Sequence, residues 1–167
     1  NPGSTEAKNV YPAVNSYRPW KSIQTSSGNA LTARCQGAAT FKDDSGNVFI
    51  FAGDATKLYK LTANSFVDES GGTTFSTGSN SYWDFIKFGE TVIAFNGTQA
   101  PQAWTMGTSS DFAALGGSPP TFRHAAVVGN FVVTGFQPTA QTTVAWSSFN
   151  SPTSWTAGTN QSDTEVL

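Results

Sequence analysis

The sequence predicts an all-β fold, and three observations carry that prediction. Ser and Thr together supply 41 of the 167 residues, and aromatic residues make up 13%. Charged residues make up only 12%, about half the usual share of a soluble domain. Sixteen Gly and eight Pro punctuate short runs of Val, Ile, Phe and Thr, the pattern of strands separated by turns. The Ala, Leu, Glu and Lys that fill helical bundles are scarce. High aromatic content with low charge is the reverse of a disordered segment.

Residues 1–35 read as an extended arm. Asn9-Val10-Tyr11-Pro12 and Tyr17-Arg18-Pro19-Trp20 set aromatics beside prolines, and a residue before Pro is pushed out of the helical region. Tyr11, Tyr17, Arg18 and Trp20 are the candidate anchors by which this arm holds a surface of its own domain or of a neighbouring subunit.

Residues 36–167 carry an internal repeat. Three Gly-polar turns align: Gly46-Asn47, Gly89-Glu90 and Gly129-Asn130. Each follows a strand-like run, namely Ala38–Phe41, Trp83–Phe88 and His124–Val128. Each precedes another, namely Val48–Phe51, Thr91–Phe95 and Phe131–Thr134, so each is a hairpin. A third strand follows at Lys57–Leu61, Pro101–Trp104 and Thr143–Ser147. A short aromatic segment closes each unit, at Ser65–Val67, Asp111–Ala113 and Thr153–Trp155. Antiparallel units of 40–45 residues are the signature of β-propeller blades. The expected architecture is therefore an incomplete propeller of three blade-like units, about 36–75, 82–115 and 122–157. Three fall short of the four to eight that close a propeller, so the domain is expected to continue beyond residue 167 or to be completed by other chains. A β-sandwich is the alternative architecture.

Little in the sequence points to catalysis. The six Lys and three Arg are scattered, and the net charge is −2. That disfavours tight DNA binding, which needs several cations on one face. Cys35 is the lone cysteine, so no intramolecular disulfide forms, and it reads as a small buried apolar residue. His124 is the lone histidine and has no metal-binding partners in sequence. Asp43-Asp44-Ser45-Gly46-Asn47 lacks the distal Glu of a calcium loop and reads as a solvated turn. No phosphate-cradling Gly loop is present. No cofactor and no metal is expected. Trp83, Trp104, Trp146 and Trp155 are candidate platforms for stacking on sugar rings, with burial in the core as the competing role.

Two resemblances add to this reading. Ser148–Trp155 resembles, in degenerate form, the Asp-box turn of sialidase propellers, with Asn150 and Pro152 where Asp and Gly are usual. In that family the turn is structural. Arg18, Arg34 and Arg123 match no arginine cluster of such enzymes, and no hydrolase is expected. Nearly the whole chain resembles a group of tailed-phage virion proteins. The resemblance rests on Asn1-Pro2-Gly3, Asn9–Pro12, Tyr17–Trp20, Phe51–Leu61, Phe85–Glu90, Pro119-Pro120, His124–Val133, Val144–Ser147, Asn150, Pro152, Trp155 and Gln161–Asp163. It implies a structural, non-enzymatic protein similar to the tail hub, nozzle or DNA-stabilisation proteins of short-tailed phages. The partners it implies are further copies in a ring, commonly hexameric, portal or adaptor and other tail proteins, and genomic DNA passing through unbound. It implies a place in the virion, at the tail or head–tail junction, and no membrane.

Overall fold

The computed structural model describes residues 8, 10–20 and 28–167. Among them every regular element is a strand. Strands β1 (Val10–Ala13) and β2 (Ser16–Pro19) pair as a hairpin. The other twelve form three four-stranded antiparallel sheets, none closed into a barrel. The first sheet holds β3 (Gly37–Lys42), β4 (Val48–Gly53), β5 (Leu58–Thr62) and β6 (Ser65–Asp68). The second holds β7 (Asp84–Phe88), β8 (Thr91–Phe95), β9 (Gln102–Thr105) and β10 (Ala113–Ala114). The third holds β11 (His124–Val128), β12 (Phe131–Gly135), β13 (Thr143–Trp146) and β14 (Asp163–Val166). Spatial order follows chain order in each sheet, so every sheet is a meander.

All three expected hairpins form. Gly89 and Gly129 each open a two-residue turn at positive φ, 54° and 58°, the conformation in which Gly carries no Cβ penalty. The turn at Gly46 is longer. The Asp43 side chain accepts from Asn47 N at 2.8 Å and Asn47 Nδ2 at 2.7 Å, and this network draws its carboxyl below the usual range, with the Asn47 side-chain bond the largest cause. The closing strand of the third sheet lies elsewhere than expected. Thr153–Trp155 is not a strand, and β14 pairs with β13 instead. The Ser148–Trp155 stretch folds on itself: the Ser148 and Ser154 hydroxyls lie 2.8 Å apart, and Trp155 Nε1 donates to Pro152 O at 2.8 Å.

The sheets stack face to face in chain order, and two apolar joints hold them. Phe51, Leu58, Phe85, Val92, Trp104 and Phe112 are buried between the first and second sheets. Ile93, Phe95, Leu115, Phe122, Val132 and Trp155 fill the joint between the second and third. Alternation along β8 explains this. Val92 and Ala94 face one joint while Ile93 and Phe95 face the other, and all four are buried. Phe51, Trp104 and Phe112 form a ring triad with centroids 5.3 to 5.5 Å apart, and each such side chain contributes about 1.5–3 kcal/mol by leaving water.

The first joint is sealed at one end by Trp83, the residue before β7. Its indole lies on bare backbone. A Cβ on Gly37 would sit 2.1 Å from Trp83 O, and one on Gly53 would sit 2.3 Å from the indole Cδ1. Gly37 and Gly53 are register partners on β3 and β4, so the pair forms a flat seat. Trp83 N donates to Gln36 O at 3.0 Å, and its Nε1 to Asp54 O at 2.8 Å.

The outward face of the third sheet is apolar and open, whereas that of the first is mixed and partly covered. On the third sheet, register aligns Ala126, Val133 and Trp146 in one row and Val128 with Phe131 in another. Val128 is 57% exposed, and Phe149, 42% exposed, packs edge-on against Phe131. The outward face of the first sheet aligns Thr40 with Ile50 and Lys42 with the exposed Val48. It is partly covered by residues 28–34. There Gly28 N donates to Asn64 O, Asn29 brackets Phe66 through both its side-chain amide groups, and Thr32 meets Tyr59.

Candidate functional site

The arm residues expected to anchor a neighbour sit on a hairpin. Tyr11 and Trp20 meet edge-on, with ring centroids 5.8 Å apart. Tyr17 and Trp20 are 65% and 67% exposed, Arg18 is exposed, and Val14 at the turn is fully so. Within the described residues the extended arm is thus a paired ribbon presenting aromatic side chains to solvent. The expectations for Asn1-Pro2-Gly3 and for residues 21–27 fall outside the described residues.

The candidate sugar platforms are largely removed. Trp83, Trp104 and Trp155 are buried in the joints, because a low-charge β stack places its largest rings where they exclude most water. Only Trp146 is half-buried, with Nε1 donating to Gln161 O at 2.6 Å. Trp104 Nε1 has no hydrogen-bond partner; the ammonium of Lys60 lies over its ring, 4.7 Å from the centroid. Cys35 is exposed rather than buried. It precedes β3, where its Sγ contacts Gly37 O at 3.3 Å.

No group of three or more His, Cys, Asp or Glu residues converges among the described residues in a way that holds a metal ion. The arginines do not converge either. Arg18 is on the hairpin, and Arg34 donates to Ser79 O at 2.5 Å. Arg123 stands alone before β11, with its guanidinium carbon 5.6 Å from the Tyr82 ring centroid and 5.9 Å from that of Phe136. The Phe136 ring in turn meets His124 edge-on, with centroids 5.9 Å apart.

Among the described residues one acidic side chain is fully buried. Asp54 Oδ1 accepts from Thr56 N at 2.8 Å, Thr56 Oγ1 at 3.1 Å and Lys57 N at 2.9 Å. Its Oδ2 accepts from Thr32 Oγ1 at 2.8 Å, Ala33 N at 3.1 Å and Tyr59 OH at 2.8 Å. Burial pushes this carboxyl up, but the bonds from Thr56, Tyr59, Thr32 and Lys57 outweigh it and lower its pKa to about 2. Asn96 repeats the first half of the arrangement, with Oδ1 accepting from Thr98 N, Thr98 Oγ1 and Gln99 N at 2.9 to 3.0 Å. Both side chains close the turn after the second strand of a sheet, so the Asp54 cluster is structural. The repeated signal was present as Asp54-Ala55-Thr56 and Asn96-Gly97-Thr98.

No protein-family model matches the chain, and no curated protein matches it.

Proposed function

We propose that the chain is a structural component of a phage virion, at the tail or head–tail junction, where it builds a hub- or nozzle-like ring around the DNA exit channel. The observation that supports this most is the unfinished sheet stack. Three meander sheets pack in series, and the outward faces of the first and third sheets leave apolar side chains in water. Exposed apolar surface of this kind is a recurrent mark of assembly. Closure by further blade-like sheets, as in a β-propeller, covers both faces. The hairpin adds a second contact element, with Tyr17 and Trp20 free to enter a neighbour's surface. Tyr and Trp are the side chains that dominate such contacts.

Native mass spectrometry of the protein as isolated from its source, with proteomics of purified particles, tests the proposal. The expected result is a symmetric ring and stoichiometric recovery from virions. A monomer at all working concentrations, together with absence from particles, overturns it.

A further inference from the structure

We infer that Gly135, on the outward face of the third sheet, seats the Trp20 indole of a second copy, whose β1–β2 hairpin docks there. The inference rests on the ring reading above and names the contact by which one copy holds the next.

The precedent lies inside the chain. In the first sheet Gly53, the last residue of β4, faces the second sheet, and the Trp83 indole lies on it, with Phe75 edge-on to that indole at 5.0 Å. In the second sheet the corresponding residue is Phe95, paired with Asp84 as Gly53 is with Gly37, and its own ring fills the place against Phe122. In the third sheet the corresponding residue is Gly135, paired with His124. Thr134 beside it is buried towards the second sheet, so alternation turns the Cβ direction of Gly135 outward. A Cβ there would meet nothing within 4 Å. Glycine within a strand marks a place where another group comes close, and at Gly135 the described residues leave that place open. Gly135 also floors an open, apolar depression of about 280 Å³, walled by His124, Ala126, Val133 and Val144 among others.

The hairpin supplies the ring. Trp20 is 67% exposed, and Tyr11 meets it edge-on at 5.8 Å, as Phe75 meets Trp83. Charge agrees. Arg18 is exposed on the hairpin, while Asp163 and Glu165, exposed on β14, share the outward face of the third sheet through their pairing with Trp146 and Val144. Direction agrees as well. Residues 28–34, which follow the hairpin in the chain, lie on the outward face of the first sheet. The hairpin is therefore tethered at the opposite end of the stack from Gly135. Copies set head to tail bring the one to the other, the arrangement that closes rings.

The test uses two full-length variants. Trp20→Ser, at an exposed position, keeps the seat and loses the ring. Gly135→Leu, with open space before its Cβ, keeps the hairpin and fills the seat. Isotope-labelled Trp20→Ser is titrated with unlabelled Gly135→Leu and followed by nuclear magnetic resonance; the parent chain serves as the added partner should Gly135→Leu fold poorly. Saturable shifts are expected at the Gly135, Ala126, Val133 and Val144 amides, and none when the added chain is itself Trp20→Ser. Arg18→Glu in the added chain is expected to weaken binding several-fold at low salt, and Glu165→Arg in the labelled chain to restore part of the loss. In sedimentation, either Trp20→Ser or Gly135→Leu is expected to weaken self-association at least tenfold, the loss typical of a central aromatic, and their mixture to stop at a heterodimer. Shifts at Gly135 with both added chains identify another surface, such as a further sheet, as the occupant and overturn the inference. Shifts with neither overturn it too. In both cases the ring reading still stands if native mass spectrometry finds a ring in material from the source.

Discussion

Asp54→Asn removes the charge of the carboxylate that is fully buried among the described residues. Asparagine keeps the Oδ1 contacts to Thr56 and Lys57, since Asn96 makes the same set to Thr98 and Gln99. On the other side Nδ2 replaces Oδ2. The Thr32 and Tyr59 hydroxyls can turn to accept from it, but Ala33 N–H then faces a donor. The folded-state pKa is lowered from 3.8 to about 2, which at about 1.4 kcal/mol per unit is worth about 2 kcal/mol. Because the folded value is the depressed one, this stability is present above pH 3.8 and is lost as the pH falls towards 2. The expected loss in the variant is therefore about 2 kcal/mol at pH 7, a fall in Tm of about 4–8 °C for a chain of this size. Urea unfolding followed by tryptophan fluorescence at pH 7, 4 and 2 measures it. The parent should fall towards the variant as the solution is acidified. A gap of the same size at pH 7 and pH 2 would refute the reasoning, because the carboxylate charge would then contribute nothing.

Other outcomes follow from the same packing. Gly117→Ala should destabilise strongly, by about 3 kcal/mol or more by thermal unfolding, since φ is 80° and the new Cβ would lie 2.1 Å from Thr153 O; Gly129→Ala, at positive φ in open space, should cost about 1 kcal/mol. Trp83→Phe should cost about 1 kcal/mol more than Trp104→Phe in urea titrations, because only the Trp83 indole N–H gives up a hydrogen bond. Cys35 should react with a thiol reagent in the native protein as fast as a small exposed thiol, without loss of structure; reaction only on unfolding would contradict its exposure. Replacing Tyr17 and Trp20 together by Ser should reduce self-association in sedimentation while leaving Tm within about 1 °C, because neither side chain is buried in the chain.

The meander was legible because it is local. Turn glycines 43 and 40 residues apart and β-branched runs on either side of them fix hairpins whatever the tertiary context. Burial was less legible. Trp83 and Trp146 stand in similar apolar runs, yet one is sealed in a joint and the other half-open, because only the second sheet has neighbours on both faces. The fourth strand of the third sheet was missed for a related reason. Thr153-Ser154-Trp155 has the right composition, but Trp155 is drawn into the core with Phe122, and the ladder is completed by Asp163–Val166 instead. Cys35 was misplaced because residue type alone favours burial, whereas its position just ahead of β3 leaves it in solvent. The packing of Arg123 beside the Tyr82 and Phe136 rings had no signature in the spacing of charges. Those rings come from opposite sides of the second sheet in sequence, and only the stack brings them together.

The serial stacking of meanders also governs how the chain acquires its shape. Each hydrogen-bond ladder joins strands adjacent in sequence, so each sheet closes only short loops as it forms. Between sheets the ladders do not continue; side-chain packing joins them, with a few single bonds such as Trp83 N to Gln36 O and Phe112 N to Glu69 O. Order therefore propagates from neighbour to neighbour, as in a one-dimensional array. The central sheet is the relay: a defect in the first joint reaches the third sheet only by loosening the middle one, and amide exchange should be slowest in β8, whose side chains are locked from both sides.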